Sequence, residues 1–251
     1  MKKVVGETLS RSSGGSLAAN PSPSEVDVSR LSGLTTIVTG ASSGIGEAIT
    51  RRFVAEGATV FAASRRKPAI DGITWVETDV TSSAACNELI AAAGNTLDVI
   101  VNNAGVQIEK TIAETTDEDY DFVMDVNVRG VFNCCRAAVR QMQSQRTGGS
   151  IINIGSIAGN NADHGMAVYN ATKGAVHALT RAIATDHGRD AIRCNAISPG
   201  WILTALADAA FDLAVDPAAA RAATERRHPA GRMGTPDDIA GLAVYLASSE
   251  S

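Results

Sequence analysis

Tyr169 and Lys173 stand four residues apart, a spacing that puts two side chains on one face of a helix. A phenol is a poor general acid or base at neutral pH because its ordinary pKa is about 10. A neighbouring ammonium stabilises the phenolate and lowers that value. Such a pair can exchange a proton with a substrate oxygen. By itself, Tyr-x-x-x-Lys is an ordinary helix-surface pair, so the rest of the chain must decide. Ser156 lies upstream of Tyr169, after a strand pattern, and Asn127 lies earlier still, in a helical stretch.

A second group of residues suits an anion. Thr39-Gly40-Ala41-Ser42-Ser43-Gly44-Ile45-Gly46 joins a strand pattern to a helix pattern. Glycines at this spacing let backbone N–H groups approach a pyrophosphate, with the helix N-terminus facing the charge. Gly40, Ser42, Ser43, Ile45 and Gly46 are the candidate contacts. The next strand ends at Ser64, where a dinucleotide-binding unit carries its ribose-reading residue. An acid there would accept from the ribose 2′-OH and repel a 2′-phosphate. Ser64 followed by Arg65, Arg66 and Lys67 does the reverse, since a hydroxyl and guanidinium forks suit a phosphate dianion. This favours NADP(H), with NAD(H) possible. A solvated basic loop is the competing explanation, and Ser43 occupies a place where some NADP enzymes carry a basic residue. The third strand ends at Thr78-Asp79-Val80. Asp79, with Val80 beside it, could accept from an adenine amino group or equally serve a helix N-cap. The fourth ends in Asn102-Asn103-Ala104-Gly105, small enough to let a cofactor lie against Asn103, Ala104 and Gly105.

The elements that must position these groups alternate. Strand-like runs at 34–39, 59–63, 73–76, 97–101, 151–154 and 192–197 are separated by helical periodicity at 44–56, 82–93, about 117–143 and 167–187. Several strands are apolar on both faces, as in a parallel sheet covered on both sides. The expected fold is α/β, a Rossmann-type doubly wound parallel sheet with helices on both faces, in a single domain. Residues 1–33 are Ser-, Gly- and Pro-rich and read as a flexible tail, leaving 34–251 as the folded unit.

Bulk properties narrow the classes. The 251 residues carry a net charge of −5, which argues against nucleic acid or an anionic membrane as partner. Cys86, Cys134, Cys135 and Cys194 match neither a zinc site nor a disulfide framework, and no metal site is expected. No apolar run is long enough to span a bilayer, and no apolar core follows Lys2-Lys3, so a cytoplasmic protein is expected.

Taken together these motifs resemble the short-chain dehydrogenase/reductase family, from Leu34 to Ser251. Thr39–Gly46 matches the family's TGxxxGIG and Asn102–Gly105 its NNAG. Ser156 lies thirteen residues before Tyr169, as the family requires. Ser198-Pro199-Gly200 matches the turn near the nicotinamide, with Ile202 and Thr204 placed to meet its carboxamide and the phosphates. Arg232-Met233-Gly234-Thr235-Pro236 matches a late helix start. The resemblance implies that Tyr169 is the general acid in reduction and the base in oxidation. It implies that Lys173 bonds the nicotinamide ribose and lowers the Tyr169 pKa, that Ser156 holds the substrate oxygen, and that Asn127 steadies a relay water. It also implies a homo-oligomer, a tetramer or dimer, and one more strand beyond the helix ending near Ala247. The sequence shows no such strand, so a truncated or engineered chain, or only the ordered part of a longer one, is expected, with an exposed edge on the strand at 192–197.

The substrate pocket is expected to draw on Gln107, on Asn160, His164 and Met166 in the loop 160–166, on Trp201, and on Leu206, Phe211 and Leu213 in an apolar helical lid. His164 could bond a polar substrate, but a solvated loop histidine is the favoured reading. A mixed polar and aromatic pocket does not separate a ketone or aldehyde reductase from a sugar dehydrogenase or an oxoacyl reductase. The last would need a basic patch for an acidic carrier, to which Arg129, Arg136 and Arg140 could contribute. The leading expectation is an NADP(H)-dependent carbonyl/alcohol oxidoreductase acting on a small molecule. The alternatives are an NAD-dependent alcohol or polyol dehydrogenase, and a non-catalytic NADP(H)-binding sensor.

Overall fold

The computed structural model describes residues 29–251. The strands are β1 (Thr35–Thr39), β2 (Thr59–Ser64), β3 (Ile73–Glu77), β4 (Val99–Asn102), β5 (Gly149–Ile154) and β6 (Ile192–Ile197). They form one parallel sheet in the order β3-β2-β1-β4-β5-β6. The chain moves outward from β1 through β2 to β3, then returns to start β4 on the other side of β1. This reversal opens a crevice at the C-terminal ends of β1 and β4, where doubly wound sheets bind ligands.

Helices cover both faces. On one side are α1 (Gly44–Ala55) and the last helix, α8 (Pro236–Ala247). Ile49 and Phe53 of α1 and Ala243 and Val244 of α8 are fully buried there against Val38, Val101 and Ile152. On the other side lie α2 (Ser83–Ala92), α3 (Asp117–Met124), α4 (Val131–Gln145) and α5 (Ala167–His187). Leu89, Met142 and Val176 pack there on Ile37, Ile100 and Ile151. Two short helices, α6 (Ala205–Asp212) and α7 (Pro217–Arg227), stand apart over the C-terminal ends of the strands.

Three departures from the sequence reading are informative. The helical stretch expected at 117–143 is interrupted by a π-helical turn, Asp125–Gly130, between α3 and α4. One wide turn of this kind inserts a residue, and such turns occur often at functional sites. Second, the folded unit reaches back before residue 34. Leu31 is fully buried, and its N–H donates to the Glu56 carbonyl at 3.0 Å. The buried Glu56 carboxylate is held by Arg30 (3.1 Å) and Arg52 (2.9 Å). Burial works to raise its pKa, yet the two guanidiniums keep it below the ordinary carboxylate value. The rest of the expected tail lies outside the described residues. Third, β6 pairs only with β5, so it is the edge of the sheet among the described residues. No described helix is long and apolar enough to cross a membrane.

Candidate active site

The crevice is a cleft of about 560 Å³ that runs from the β2 and β3 ends, past β1 and β4, to the ends of β5 and β6. That volume lies within the usual range for small-molecule sites.

At the centre is the turn between β1 and α1. Gly40 and Gly44 have φ of +66° and +57°, which favour glycine. Gly40, Ser42, Ser43 and Ile45 line the cleft. Gly46 does not, because its task is packing. A Cβ there would sit 2.3 Å from the Gly40 oxygen and 2.4 Å from Asn103 Nδ2. Ser43 precedes α1 without capping it through its side chain, so first-turn N–H groups of the helix face the cleft. The Asn103–Gly105 segment forms the neighbouring wall and is bonded to this loop. Thr39 Oγ1 accepts from the Asn103 and Ala104 N–H groups at 3.0 and 3.1 Å, and Asn103 Nδ2 donates to the Thr39 carbonyl at 3.0 Å.

At one end, Ser64, Arg65, Arg66, Asp79 and Val80 line the wall. The Ser64 hydroxyl donates to the Arg66 carbonyl at 2.7 Å and so folds the basic turn. The Arg65 and Arg66 side chains make no ion pair or side-chain hydrogen bond within the described chain. Asp79 Oδ1 accepts from the N–H and hydroxyl of Thr81 at 2.9 and 2.8 Å, a local turn that leaves Oδ2 uncommitted. The cap of α2 is Ser82, not Asp79.

At the other end, Ser156, Tyr169 and Lys173 meet. Ser156 follows β5 and begins a short 3₁₀ turn, its Oγ accepting from Ala158 N–H at 3.1 Å. Tyr169 and Lys173 project from the first turns of α5, and Tyr169 faces Ser156 across the cleft. Lys173 Nζ donates to the Ile154 carbonyl at 2.9 Å and lies 5.5 Å from the Tyr169 ring centre. Burial lowers its pKa to about 8. The expected lowering of the Tyr169 pKa by Lys173 is not what this arrangement shows. Burial raises the phenol above its ordinary value, the Ser156 hydroxyl opposes that, and the Asp163 charge adds to it. The ammonium is engaged with a main-chain carbonyl instead of the phenol oxygen.

Asn127 is buried behind the wall, in the π-helical turn. Its amide is fully used within the protein. Oδ1 accepts from Val106 N–H at 2.8 Å, and Nδ2 donates to the Val106 carbonyl (2.8 Å) and Thr172 Oγ1 (3.2 Å). Its side chain therefore anchors the segment after Gly105 to α5, a role the relay expectation did not include.

Pro199, Gly200, Ile202 and Thr204 line the cleft after β6. The stretch Trp201–Leu203 is stitched to the late motif, with Gly234 N–H donating to the Trp201 carbonyl at 3.0 Å and Leu203 N–H to the Gly234 carbonyl at 2.9 Å. His228, not singled out by its spacing, accepts from Trp201 N–H at 3.3 Å and so fixes the same turn. On the substrate side Gln107, Met166, Trp201 and Leu206 line the wall, joined by Asp163, which lies within the expected 160–166 loop but is not singled out by the sequence. Asp163 pairs with Arg227 of α7 at 3.0 Å. Trp201 stacks on Phe211 at 5.1 Å. Leu213 points outward, 73% exposed. Asn160 and His164 do not line the cleft; the Asn160 amide oxygen faces His177 at 3.3 Å.

This frame fits a dinucleotide. The glycine turn leaves room for a phosphate backbone, the α1 N-terminus faces the cleft, and two cationic side chains at one end have no partner among the described residues.

Comparison with known proteins decides the kinship. A family described as Enoyl-(Acyl carrier protein) reductase matches residues 40–251. The chain is 36% identical to the NADP-dependent (R)-specific alcohol dehydrogenase of Lentilactobacillus kefiri, over 88% of this chain and 92% of that one. It is 34% identical to the 3-oxoacyl-(acyl-carrier-protein) reductase of Thermotoga maritima, over 88% and 93%. The chain belongs to the short-chain dehydrogenase/reductase family. Among solved structures, this short-chain dehydrogenase/reductase superposes on the aldohexose dehydrogenase of Thermoplasma acidophilum with a TM-score of 0.83 at 33% identity, covering 88% of this chain and 89% of that one. Like its relatives it is an oxidoreductase of the kind that acts on CH–OH and C=O groups.

Proposed function

We propose that this short-chain dehydrogenase/reductase interconverts a carbonyl compound and its alcohol with NADP(H). The observation that carries the cofactor choice is the end of β2. Ser64 stands where an acid would read a 2′-hydroxyl, and Arg65 and Arg66 face the cleft without ion-pair or side-chain hydrogen-bond partners among the described residues. A 2′-phosphate supplies the missing counter-charge. The glycine turn and the α1 N-terminus would hold the pyrophosphate, and Lys173 the nicotinamide ribose.

A bound nicotinamide supplies or accepts the hydride. The chain's own residues manage the proton and the substrate oxygen. Ser156 and Tyr169 both reach that oxygen. The raised pKa keeps the Tyr169 phenol protonated at neutral pH, ready to give its proton to a nascent alkoxide. In oxidation the phenolate takes the proton back. The proton donor speaks against a mere NADP(H) sensor, since binding alone needs none.

The docking of an acidic carrier protein is less supported. Arg129 is bonded to Asp125, and Arg136 is bonded to Ser83 and lies over the Phe132 ring. A free small molecule is the better fit to Gln107, Asp163 and Trp201. Homo-oligomerisation belongs to the same reading, supported by the half-exposed Phe122 and Phe132 on one side of the molecule. Light scattering checks it.

The test is a panel of ketones, aldehydes, sugars and alcohols with each cofactor, followed by nicotinamide absorbance. Turnover with NADPH well above NADH supports the reading; equal or better rates with NADH overturn the cofactor choice.

A further inference from the structure

The face of α5 that carries the active pair continues inward. Tyr169, Lys173 and His177 recur every four residues, and each meets the segment that ends β5 or follows it. Tyr169 faces Ser156 in the cleft, Lys173 bonds the Ile154 carbonyl, and His177 is wedged under the turn that carries Ser156. A Cβ on Gly155 would lie 2.3 Å from His177 Nε2, and one on Gly159 would lie 2.7 Å from Cε1. The imidazole therefore occupies the space that both glycines leave, directly before and three residues after Ser156.

Both ring nitrogens are engaged. Nδ1 is 3.3 Å from Asn160 Oδ1, at the end of the 3₁₀ turn, and Nε2 is 3.0 Å from Ser198 Oγ, just beyond β6. An amide oxygen only accepts, so Nδ1 carries the hydrogen and Nε2 accepts from the serine hydroxyl. Main-chain bonds close the same unit, with Gly155 N–H donating to the Ile197 carbonyl at 2.7 Å and Ile157 N–H to the Pro199 carbonyl at 3.0 Å. Burial, Arg181 and Lys173 all favour the neutral ring that this pattern requires.

We propose that His177 is a positioning residue, a clamp that sets Ser156 against Tyr169 by locking the Ser156 turn and the Ser198–Gly200 turn to α5. The inference rests on the proposed reaction for its kinetic consequence and on geometry alone for the clamp. A displacement of about 1 Å in such a site lowers turnover by roughly a hundredfold.

The test compares the parent protein with His177→Leu, His177→Gln and Ser198→Ala. It reads amide hydrogen exchange by mass spectrometry, kcat and KM on a reduced carbonyl, and NADPH affinity by fluorescence. In His177→Leu, exchange over residues 155–161 should quicken about tenfold, the size of a lost hydrogen bond, while peptides from β1 to β3 stay unchanged. Its kcat should fall between about tenfold and a hundredfold, with NADPH affinity within about twofold. His177→Gln, which keeps a donor and an acceptor, should recover part of both. Unchanged exchange over 155–161, or quickening spread evenly into β1–β3, overturns the clamp. If His177→Leu does not fold, Ser198→Ala decides by the same segment-limited exchange. A parent protein without turnover on any carbonyl removes the proposed reaction, while the exchange result still decides the clamp.

Discussion

Lys173 Nζ donates to the main-chain carbonyl of Ile154 at 2.9 Å. The ammonium is thereby tied to the end of β5, two residues before Ser156, and held in a buried place. Fixing a charge there opposes folding, and this sets up a trade between stability and turnover. Burial draws the Lys173 pKa to about 8 in the folded protein, from 10.5 when solvated. Below pH 8 both folded and unfolded chains hold the proton, and the fold bears the full desolvation. Between pH 8 and 10.5 only the unfolded chain holds it, so this group's contribution to stability rises with pH. Lys173→Met should be more stable than the parent near pH 7, by on the order of 1 kcal/mol once the lost bond to Ile154 is deducted. The gap should close as pH approaches about 10, and turnover should be lost. Thermal melting across pH checks this; a variant less stable at pH 7 contradicts it.

Asp163 raises the Tyr169 pKa through its charge. Asp163→Asn removes that charge and leaves Arg227 of α7 unpaired beside the cleft. Both changes favour the phenolate. Alcohol oxidation, which needs the phenolate, should therefore reach its alkaline plateau at lower pH than in the parent. The reductive direction, which needs the phenol, should begin to fall at lower pH too. Rate profiles in both directions measure the shift, and a move to higher pH contradicts the assignment.

Ser64 and the two arginines beside it should control cofactor choice. Ser64→Asp places a carboxylate where the 2′-phosphate is expected, and should raise the KM for NADPH at least about tenfold, a loss of about 1.4 kcal/mol. NADH should be used as well as before or better. Arg65→Ala combined with Arg66→Ala should weaken NADPH in the same sense and leave NADH nearly unchanged. Steady-state kinetics with both cofactors read this directly.

Gly46→Ala should disable the nucleotide end without touching the chemical end. Its Cβ would collide with the Gly40 carbonyl and the Asn103 amide. The substitution should cost roughly 1–3 kcal/mol of stability and abolish tight NADPH binding. Calorimetry and fluorescence titration check both.

The parts of this site that the sequence foretold are those carried by short stretches of chain. Gly40–Gly46 announces its turn through glycine spacing, and Tyr169 and Lys173 need only one helical turn to converge. Strand positions followed from apolar runs, with ends matched or shifted by at most two residues. What stayed hidden depends on contacts between distant segments. Asn160 reads as a pocket residue until α5 brings His177 beneath it. Asp163 acquires meaning from Arg227, sixty-four residues later. The π-helical turn around Asn127 leaves no periodic trace, because one inserted residue in a long helix hardly alters the apolar pattern. Lys173 was expected to serve the phenol, and burial and the Ile154 carbonyl redirected it.

The measurement closest to the central claim is turnover of Tyr169→Phe beside the parent, with NADPH and an accepted carbonyl, alongside NADPH binding by fluorescence. Removing the hydroxyl deletes the proton donor and little else. The expected result is a fall in kcat of about a hundredfold to ten-thousandfold, with NADPH affinity within about twofold. Turnover retained at the parent's level, with the cofactor still bound, would contradict the assignment of Tyr169 as the acid and base of this enzyme.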